Sequence, residues 1–436
     1  MRPIAALVLA AVACSGATGT VTVDLITAPD LHMLDRVERL RMTITAPHQI
    51  VEVNRSAAGF KLALDLDAEN ANGALIIEGF DAAGKLVACG QSPAFPVSAI
   101  NASIAVYIAP PFSITIGPAV LGAPRSGVAA TAISYGAVIA GGLEGPADNP
   151  AASSSIAVYN AYDHTLTEGL PLPAARADLA IAAGTGGGVY LFGGTGPDGH
   201  PTGTLWRFDT TAAPNGGYLP LDDQAAFARA GQLLVPIGLN HYLVTGVPVL
   251  EVLRGVLIER TDIPALPASG ASALPGDNVP AAVFASLPLV RFRLDAFDTL
   301  IGEGRGSATA TTLPDRRIAI VGGTPSTDAL IVNAATGLVT TVPGVLSTVR
   351  LHPAVATTPR HVVVAGGTDA DGVPIPSADV LDAVTLAPIA TPKIRARIGG
   401  FAIALPNDQV LLGGGDPASA ALELFTPGPP PSGAPR

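Results

Sequence analysis

The sequence predicts an all-β protein whose C-terminal part is built from a repeated unit. Six times an arginine is followed, 16 or 17 residues later, by Gly-Gly or a remnant of it at the end of a short apolar segment. The pairs are Arg125 with Gly141-Gly142, Arg176 with Gly193-Gly194, Arg229 with Thr245-Gly246, Arg305 with Gly322-Gly323, Arg350 with Gly366-Gly367, and Arg397 with Gly413-Gly414. A period of about 45 to 50 residues with four short strands is typical of a β-propeller.

The composition agrees with short strands joined by tight turns. The chain of 436 residues has 14% charged residues, 49 glycines and 40 prolines. Strand-forming residues between frequent glycine and proline favour strands and turns over helices. The net charge of −11 and the lack of Lys/Arg runs argue against a nucleic-acid partner. After the first 13 residues, no apolar run in the sequence reaches the length of about 18 to 20 residues that a membrane helix needs.

Residues 20–110 show a different pattern, without the Gly-Gly repeat. Apolar and polar residues alternate in several segments, as they do in strands with one face in a core. These segments are Val21 to Leu25, Leu40 to Ile44, Phe60 to Leu66 and Ile104 to Ile108. Asp81 to Gly84 is a predicted hairpin turn between two further strands. About seven strands predict an immunoglobulin- or fibronectin-like sandwich, although the Trp and the Cys pair of true immunoglobulin domains are missing.

The N-terminus has the pattern of a targeting segment. Met1-Arg2 is a short positive region, Ile4 to Val12 is apolar, and Ala11-Val12-Ala13-Cys14 is a cleavage site of small residues before a cysteine. This segment resembles a bacterial lipoprotein signal, although Ala11 stands where leucine is commonest. The alternative is an ordinary secretory signal that is cut nearby and leaves Cys14 free.

The lipoprotein resemblance has consequences for localisation. It implies that residues 1–13 are removed, that Cys14 is lipidated and that residues 14–19 form a tether. Ser15 would permit sorting to an outer membrane, so we expect a lipid-anchored protein of the bacterial cell envelope. With Cys14 lipidated, Cys89 has no partner for a disulfide, and its apolar surroundings predict a buried, unreactive thiol.

The propeller is expected over residues 112–426, followed by a proline-rich tail at 427–436. The two ends are complementary, since the last unit lacks an outer strand and the segment 112–117 precedes the first unit without a role there. Pairing of these segments would close the ring and remove two open edges. We expect six blades. Seven is the alternative, because the interval of 77 residues between Gly246 and Gly323 could contain a degenerate blade.

One unit carries a family resemblance. Val189 to Thr195 contains an apolar strand followed by Gly-Gly, and Leu205 to Asp209 follows with the only tryptophan, Trp206. This segment resembles a kelch repeat. Two other units match the first half of the pattern only. The resemblance implies a kelch-like propeller but little about activity, because kelch propellers include binding modules, scaffolds, oxidases and sugar epimerases.

The six repeated arginines are the candidate ligand-binding residues. Equivalent positions lie on a ring around the channel of a closed propeller, so these side chains could converge on a carboxylate, a phosphate or an acidic peptide. The alternative is structural, since a residue that recurs in every blade can be one that every blade needs. Each arginine would then hydrogen-bond backbone carbonyls. The candidates are Arg125, Arg176, Arg229, Arg305, Arg350 and Arg397.

Catalytic and metal motifs are weak. The seven histidines are scattered without ligand spacing, so we expect no metal site and no cofactor. Asp369 to Gly372 matches only part of a calcium loop and is better interpreted as a turn. Glu303, close to Arg305, is the one candidate catalytic residue, because a sugar epimerase or mutarotase could use such an acid. An ordinary ion pair is the alternative.

These observations predict a non-enzymatic binding or scaffold lipoprotein of the bacterial envelope. The sandwich would be a spacer and the propeller the recognition disc for a protein, a peptide or an anionic glycan. The alternative is an extracytoplasmic carbohydrate-active enzyme, which requires a carboxylate in the central channel within hydrogen-bond reach of the arginines.

Overall fold

The computed structural model describes residues 18–430 with short gaps. The gaps are residues 30, 47, 58–59, 61–62, 68–70, 98–101, 262–264, 267–269, 275–280, 287, 294–295, 301–303 and 324–325. Apart from two 3-10 turns, Met33–Arg36 and Ala225–Phe227, every regular element in the described part is a strand. No helix there could span a membrane. The predicted signal, Cys14, Glu303 and the end of the tail lie outside the described residues.

The first nine strands form two sheets and a small strand pair. The sheet orders are β4-β1-β9, with β1 and β9 parallel, β3-β2-β6-β7, and β5-β8. The strands are β1 Thr18–Thr27, β2 Arg39–Ile44, β3 Gln49–Asn54, β4 Ala63–Asp67, β5 Ala71–Gly73, β6 Leu75–Phe80, β7 Leu86–Gln91, β8 Phe95–Val97 and β9 Ala102–Ile108.

The two larger sheets pack against each other as the predicted sandwich. Their shared core contains Val23 and Val106 from one sheet and Met42, Ile77 and Val87 from the other. The strand β1 begins at Thr18, so the last two residues of the predicted tether 14–19 belong to this strand. The strand β3 was not predicted. Its residues alternate between partly buried and exposed, and none of them is fully buried.

The remaining strands form the propeller. They are β10 Ser113–Ser126, β11 Ala129–Ile133, β12 Gly136–Ala140, β13 Leu143–Glu144, β14 Ala151–Ala152, β15 Ile156–Asn160, β16 Thr165–Glu168, β17 Ala180–Ala183, β18 Gly188–Phe192, β19 Thr204–Asp209, β20 Gly217–Asp223, β21 Leu234–Gly238, β22 His241–Val244, β23 Val249–Leu253, β24 Val256–Arg260, β25 Ala271–Leu274, β26 Ala281–Phe284, β27 Val290–Arg293, β28 Ala296–Thr299, β29 Ala308–Thr312, β30 Ile318–Gly322, β31 Ala329–Val332, β32 Val339–Val342, β33 Ala354–Thr357, β34 His361–Ala365, β35 Ala378–Asp382, β36 Pro388–Ala390, β37 Ile398–Ala404, β38 Val410–Asp416 and β39 Ser419–Thr426.

Seven four-stranded antiparallel units form a ring within the described residues. Blade 1 is β11-β12-β15-β16, and blades 2 to 6 are β17 to β20, β21 to β24, β25 to β28, β29 to β32 and β33 to β36. Blade 7 is β37-β38-β39-β10, and the short strands β13 and β14 extend this sheet beyond β10. The first strand of each blade contacts the first strand of the next, and β37 contacts β11, which closes the ring.

Closure follows the predicted route. The strand β10, which begins the propeller, pairs antiparallel with β39, which ends it, with Ser113 opposite Thr426 and Ile114 opposite Phe425. This pairing joins the two ends of the propeller chain within one sheet. Neither β10 nor β39 is then left as an open edge at the seam.

The expectation of six units missed one sheet, blade 4. This blade has neither of the two signals that identify the others. Leu266 occupies the position of the arginine, since its carbonyl accepts the amide of Gly246 as arginine carbonyls do elsewhere. Ala285 and Ser286 follow the second strand in place of Gly-Gly. The sheet count corresponds to the seven-blade alternative and explains the long interval before Gly323.

The Gly-Gly pair forms a corner that faces the arginine of the next blade. Gly141 and Gly142 have φ values of +62° and +104°. The amide of Gly142 donates to the carbonyl of Arg176 at 2.8 Å, and a Cβ on Gly141 would lie 2.3 Å from the same oxygen. A side chain at this position would therefore combine backbone strain with a steric clash. The same amide-to-carbonyl bond runs from Gly194 to Arg229 and from Gly323 to Arg350.

Blade 7 differs in one detail from the predicted pairing. The two glycines with positive φ are Gly414 and Gly415, at +63° and +88°, and not Gly413 and Gly414. Three consecutive glycines stand here, so the sequence alone could not decide which two form the corner.

The propeller has two faces with different contents. The arginine face carries the arginines, the Gly-Gly corners and the loops between second and third strands. The hairpin face carries the turns between first and second strands and between third and fourth strands. The sandwich docks on the hairpin face, where Asn407 donates to the carbonyl of Gln91 (3.2 Å) and the Tyr162 hydroxyl to that of Ala94 (3.1 Å).

The start of the tail strengthens this attachment. The Cys89 thiol donates to the carbonyl of Pro427 (3.1 Å), and Arg360 donates to the carbonyl of Gly428 (2.8 Å) while it pairs with Asp408. Cys89 is 2% exposed, and burial raises the pKa of its thiol to about 12. The thiol is therefore protonated at neutral pH and buried, as predicted.

We expect Gly141→Ala to destabilise the protein more than Gly344→Ala. Gly344 has nearly the same φ, +61°, but has no atom within 4 Å of a built Cβ. Gly344→Ala should cost only the backbone strain of about 1–2 kcal/mol. Gly141→Ala must also displace the Arg176 carbonyl. Urea unfolding of both variants measures the difference, and equal losses would show that the corner tolerates a side chain.

Candidate functional site

The central channel is lined by neutral residues. None of the seven first strands, all of which lie in the described part of the chain, contains Asp, Glu, Lys, Arg or His. They consist mainly of Ala, Thr, Ile and Val. Hydroxyl pairs connect some neighbouring first strands, with Ser272 2.9 Å from Thr312 and Thr311 2.7 Å from Thr357. The channel therefore offers apolar surface and hydroxyl groups, but no formal charge on these strands.

A cavity of about 480 Å³ opens at the channel mouth on the hairpin face. We call it the mouth pocket. It lies between the first strands of blades 1, 2 and 3 and the turns that follow the first strands of blades 2 and 3. Its lining includes Thr131, Ala132, Ile181, Thr185, Pro236, Leu239 and Asn240. A volume of this size accommodates a small molecule or a short peptide segment.

The polar groups of the mouth pocket are held by neighbouring turns. Asn240, at φ +50°, donates through Nδ2 to the Thr185 hydroxyl at 3.0 Å. The Tyr242 hydroxyl donates to the carbonyl of Ala183 at 2.9 Å, and burial raises the pKa of this phenol well above its usual value. The tyrosine is therefore neutral. The pocket combines fixed neutral hydrogen-bonding groups with apolar walls, which suits an uncharged ligand.

The six predicted arginines lie at the opposite end of the blades, on the arginine face. Five are buried, and Arg229 is partly exposed. In four blades Nη1 donates to the carbonyl that precedes the third strand: Arg125 to Ser155, Arg229 to Pro248, Arg305 to Asp328 and Arg350 to Ser377. In three blades it also donates to the corner carbonyl: Arg125 to Gly141, Arg229 to Thr245 and Arg350 to Gly366.

Side chains of the third strand complete the surroundings of three arginines. Nε of Arg350 donates to Asp379 at 2.7 Å, and both groups are buried. Arg397 pairs with Glu423, while burial lowers the pKa of this arginine to about 10. Arg176 lies over the ring of Trp206, with Cζ 5.2 Å from its centroid. These carboxylates neutralise arginines inside the blades and are not part of the channel lining.

These contacts favour the structural interpretation of the arginine repeat. The guanidinium groups connect strands of one blade and do not line the mouth pocket. Binding of an external anion by the whole ring stays a prediction, and Arg229 is its best remaining candidate because it is partly exposed.

The remaining candidates from the sequence are Glu303, the segment 369–372 and the possible metal ligands. Glu303 lies outside the described residues, so its relation to Arg305 is not seen. At 369–372, Oδ1 of Asp369 accepts the amides of Asp371 and Val373, which is the geometry of a turn. In the described part of the chain, no group of three or more His, Cys, Asp or Glu side chains could hold a metal ion.

Sequence reasoning missed the mouth pocket. The glycine-rich segment from Gly184 to Gly187 connects β17 and β18, but the residues of blade 3 that lie beside it cannot be assigned from spacing. Thr131, Thr185 and Asn240 are ordinary turn and strand residues. Their proximity depends on ring closure, and the only sequence signal is the neutral composition of every first strand.

Comparisons with known proteins agree with this architecture. No protein-family model matches the chain, and no curated protein matches it. Among solved structures it is similar to a fungal alcohol oxidase of the AA5 family in complex with copper, with 11% identity and a TM-score of 0.54. The similarity covers 72% of this chain and 75% of that one. At this identity it shows the fold alone: an all-β protein with a sandwich and a propeller.

We expect Arg350→Met to be strongly destabilising. It leaves the buried Asp379 without its ion-pair partner, although Oδ1 still accepts the amide of Ser347, and this should cost about 3–5 kcal/mol. Arg317→Met is the control, because Arg317 and Asp315 form an exposed pair that should contribute less than about 1 kcal/mol. Chemical unfolding compares the two. Equal stability of both variants would contradict a structural role for Arg350.

Proposed function

We propose that this protein is a non-enzymatic binding protein that uses the mouth pocket of its propeller for recognition. The observation that supports this most directly is the neutral lining of the channel and of the mouth pocket. General acid–base catalysis requires a titratable group near the reacting atoms. The first strands carry no Asp, Glu, Lys, Arg or His, and the carboxylates that pair with Arg350 and Arg397 are buried within the blades.

The chemistry of the pocket indicates the class of ligand. Thr131, Thr185 and Asn240 offer hydroxyl and amide groups, while Ile181 and Pro236 offer apolar surface. These groups suit the hydroxyls of a neutral glycan or the backbone amides of an uncharged peptide. We therefore favour a neutral partner over the anionic glycan or acidic peptide that the arginine repeat predicted.

We also propose that the protein is anchored to a bacterial envelope membrane through lipidated Cys14, in an outer membrane. The sandwich would then act as a spacer that carries the propeller. The sandwich docks on the hairpin face, which is also the face on which the mouth pocket opens. The Gly-Gly corners support a kelch-like relationship for the propeller, which we propose on geometry and motif alone.

A carbohydrate-active enzyme is the second candidate. The structurally similar copper alcohol oxidase shows that a fold of this kind can carry an enzyme. Similarity at this level does not transfer an activity to this chain. Glu303 would have to supply the acid.

A thermal-shift screen tests the mouth pocket. Neutral glycans and uncharged peptides are compared with acidic peptides and anionic sugars at low salt. A ligand at a hundred times its Kd should stabilise the protein by about 2.7 kcal/mol. We expect a neutral glycan or an uncharged peptide to raise the thermal midpoint of the protein. Ala132→Trp should abolish this shift because the larger side chain fills the pocket.

The matched control is Ala335→Trp, in an exposed turn of blade 5, which should keep the shift. Stabilisation by anions that Arg229→Ala removes would instead place the site on the arginine face and overturn the neutral-ligand proposal.

Lipidation is tested by labelling with a fatty-acid probe in a bacterial host that expresses the full chain. We expect label on the native chain and none on Cys14→Ser. Cys89→Ser should retain the label, because the Cys89 thiol is buried. An unlabelled native chain, or label on Cys14→Ser, would contradict the anchor.

A further inference from the structure

The surroundings of the arginine can be compared between blades. In blades 6 and 7 the arginine meets a carboxylate on the third strand. Asp379 lies opposite Val364, and Glu423 lies opposite Leu412, in each case two residues before the first corner glycine. In blade 1 the same cross-strand position is opposite Ile139, and it is occupied by Ala157. Blade 1 thus has the arginine without the acid, as have blade 2, where Trp206 stands opposite Leu191, and blade 5, where Leu330 stands opposite Ile320.

The guanidinium of blade 1 shows the consequence. Arg125 is 1% exposed, and Nη1 is satisfied by the carbonyls of Gly141 and Ser155. Nε and Nη2 of Arg125 are buried and have no hydrogen-bond partner among the described residues. These two N–H groups point in parallel and form the edge of the guanidinium that binds a carboxylate side-on. Buried donors without an acceptor are rare and call for an explanation.

Two acidic side chains lie near this edge without forming an ion pair with it. Glu168 stands opposite Ala157 on the outer strand and accepts the Ser155 hydroxyl at 3.1 Å. Glu144 stands opposite Arg125 and accepts the Ser153 hydroxyl at 3.1 Å. Burial lowers the pKa of Arg125, and the charges of Glu168 and Glu144 oppose this effect. One cation and two anions make the site negative, which disfavours a simple anion.

The hairpin β13–β14 adjoins the site. This hairpin pairs with β10 through two residue pairs only, Arg125 with Glu144 and Ser126 with Leu143. Its turn, residues 145–150, is mostly exposed. These two pairs can separate without disturbing blade 1, whose own strands pair independently, so we infer that a ligand enters beside this hairpin.

We propose that Arg125 binds the carboxylate of a small zwitterion, such as an α-amino acid, whose ammonium group is held by Glu168 and Glu144. The carboxylate takes the position that Asp379 has in blade 6. The ammonium offsets the negative charge of the two glutamates. This site is distinct from the mouth pocket, since it lies on the other face of the propeller.

Glycine is the probe, with acetate as the carboxylate without an ammonium and methylammonium as the reverse. On the full chain, glycine well above its Kd should raise the thermal midpoint by about 2–4 °C. Acetate and methylammonium should have much smaller effects at matched ionic strength. Calorimetric titration with glycine provides a second measurement. The proposal is wrong if glycine neither shifts the thermal midpoint nor gives a heat of binding. It is also wrong if acetate shifts the midpoint as much as glycine does.

Two variants test the location. Ala157→Asp should place a carboxylate beside Arg125, raise the midpoint without any probe and abolish the glycine response. Glu168→Gln removes one negative charge and should shift the preference from glycine toward acetate. A glycine response that both variants leave unchanged would place the binding elsewhere and overturn the assignment. Because Glu168 is exposed, its substitution keeps the test available even if Ala157→Asp does not fold.

Discussion

The contact between a Gly-Gly corner and the arginine of the next blade is the interaction on which the propeller depends. The backbone carbonyl of Arg176 accepts the amide of Gly142 from the preceding blade. Arg125 stands near the end of β10, just before blade 1, and its side chain reaches the corner of blade 1 and the residue before the third strand of that blade. The repeated arginine thus connects neighbouring blades through its backbone carbonyl and connects the strands of a blade through its guanidinium. Both partners of the repeat therefore recur together.

Blade 4 shows what happens when the side chain is not required. Leu266 retains the carbonyl that accepts the amide of Gly246, but it has no guanidinium. The backbone bond therefore suffices to continue the ring, and the strands of this blade pair with each other as in the rest. The arginine stabilises a blade but does not define it, which is why a search for arginines found six units where the sheets number seven in the described residues.

The architecture could be predicted from the sequence because its causes are local and repeated. Glycines at fixed spacing mark corners with positive φ, and the unpaired segment at 112–117 indicated how β10 completes blade 7. The mouth pocket could not be predicted in this way. Thr131, Thr185 and Asn240 come from three blades, and only ring closure and the docking of successive turns bring them together. For the same reason the arginines looked like a channel ring, although their side chains turn into the blades.

A repeated structure also makes its exceptions informative. Asp379 and Glu423 show that a carboxylate on the third strand can pair with the arginine, so Ala157 in blade 1 can be compared with blades of the same protein. A buried guanidinium edge without an acceptor is unfavourable unless something is gained from it, because unsatisfied buried donors cost about 1–3 kcal/mol. The acid in blade 1 has moved one strand outward to Glu168, where it is exposed and bonded to Ser155. The charges needed for an internal ion pair are present but held apart, which is the arrangement that a ligand carrying both charges can bridge.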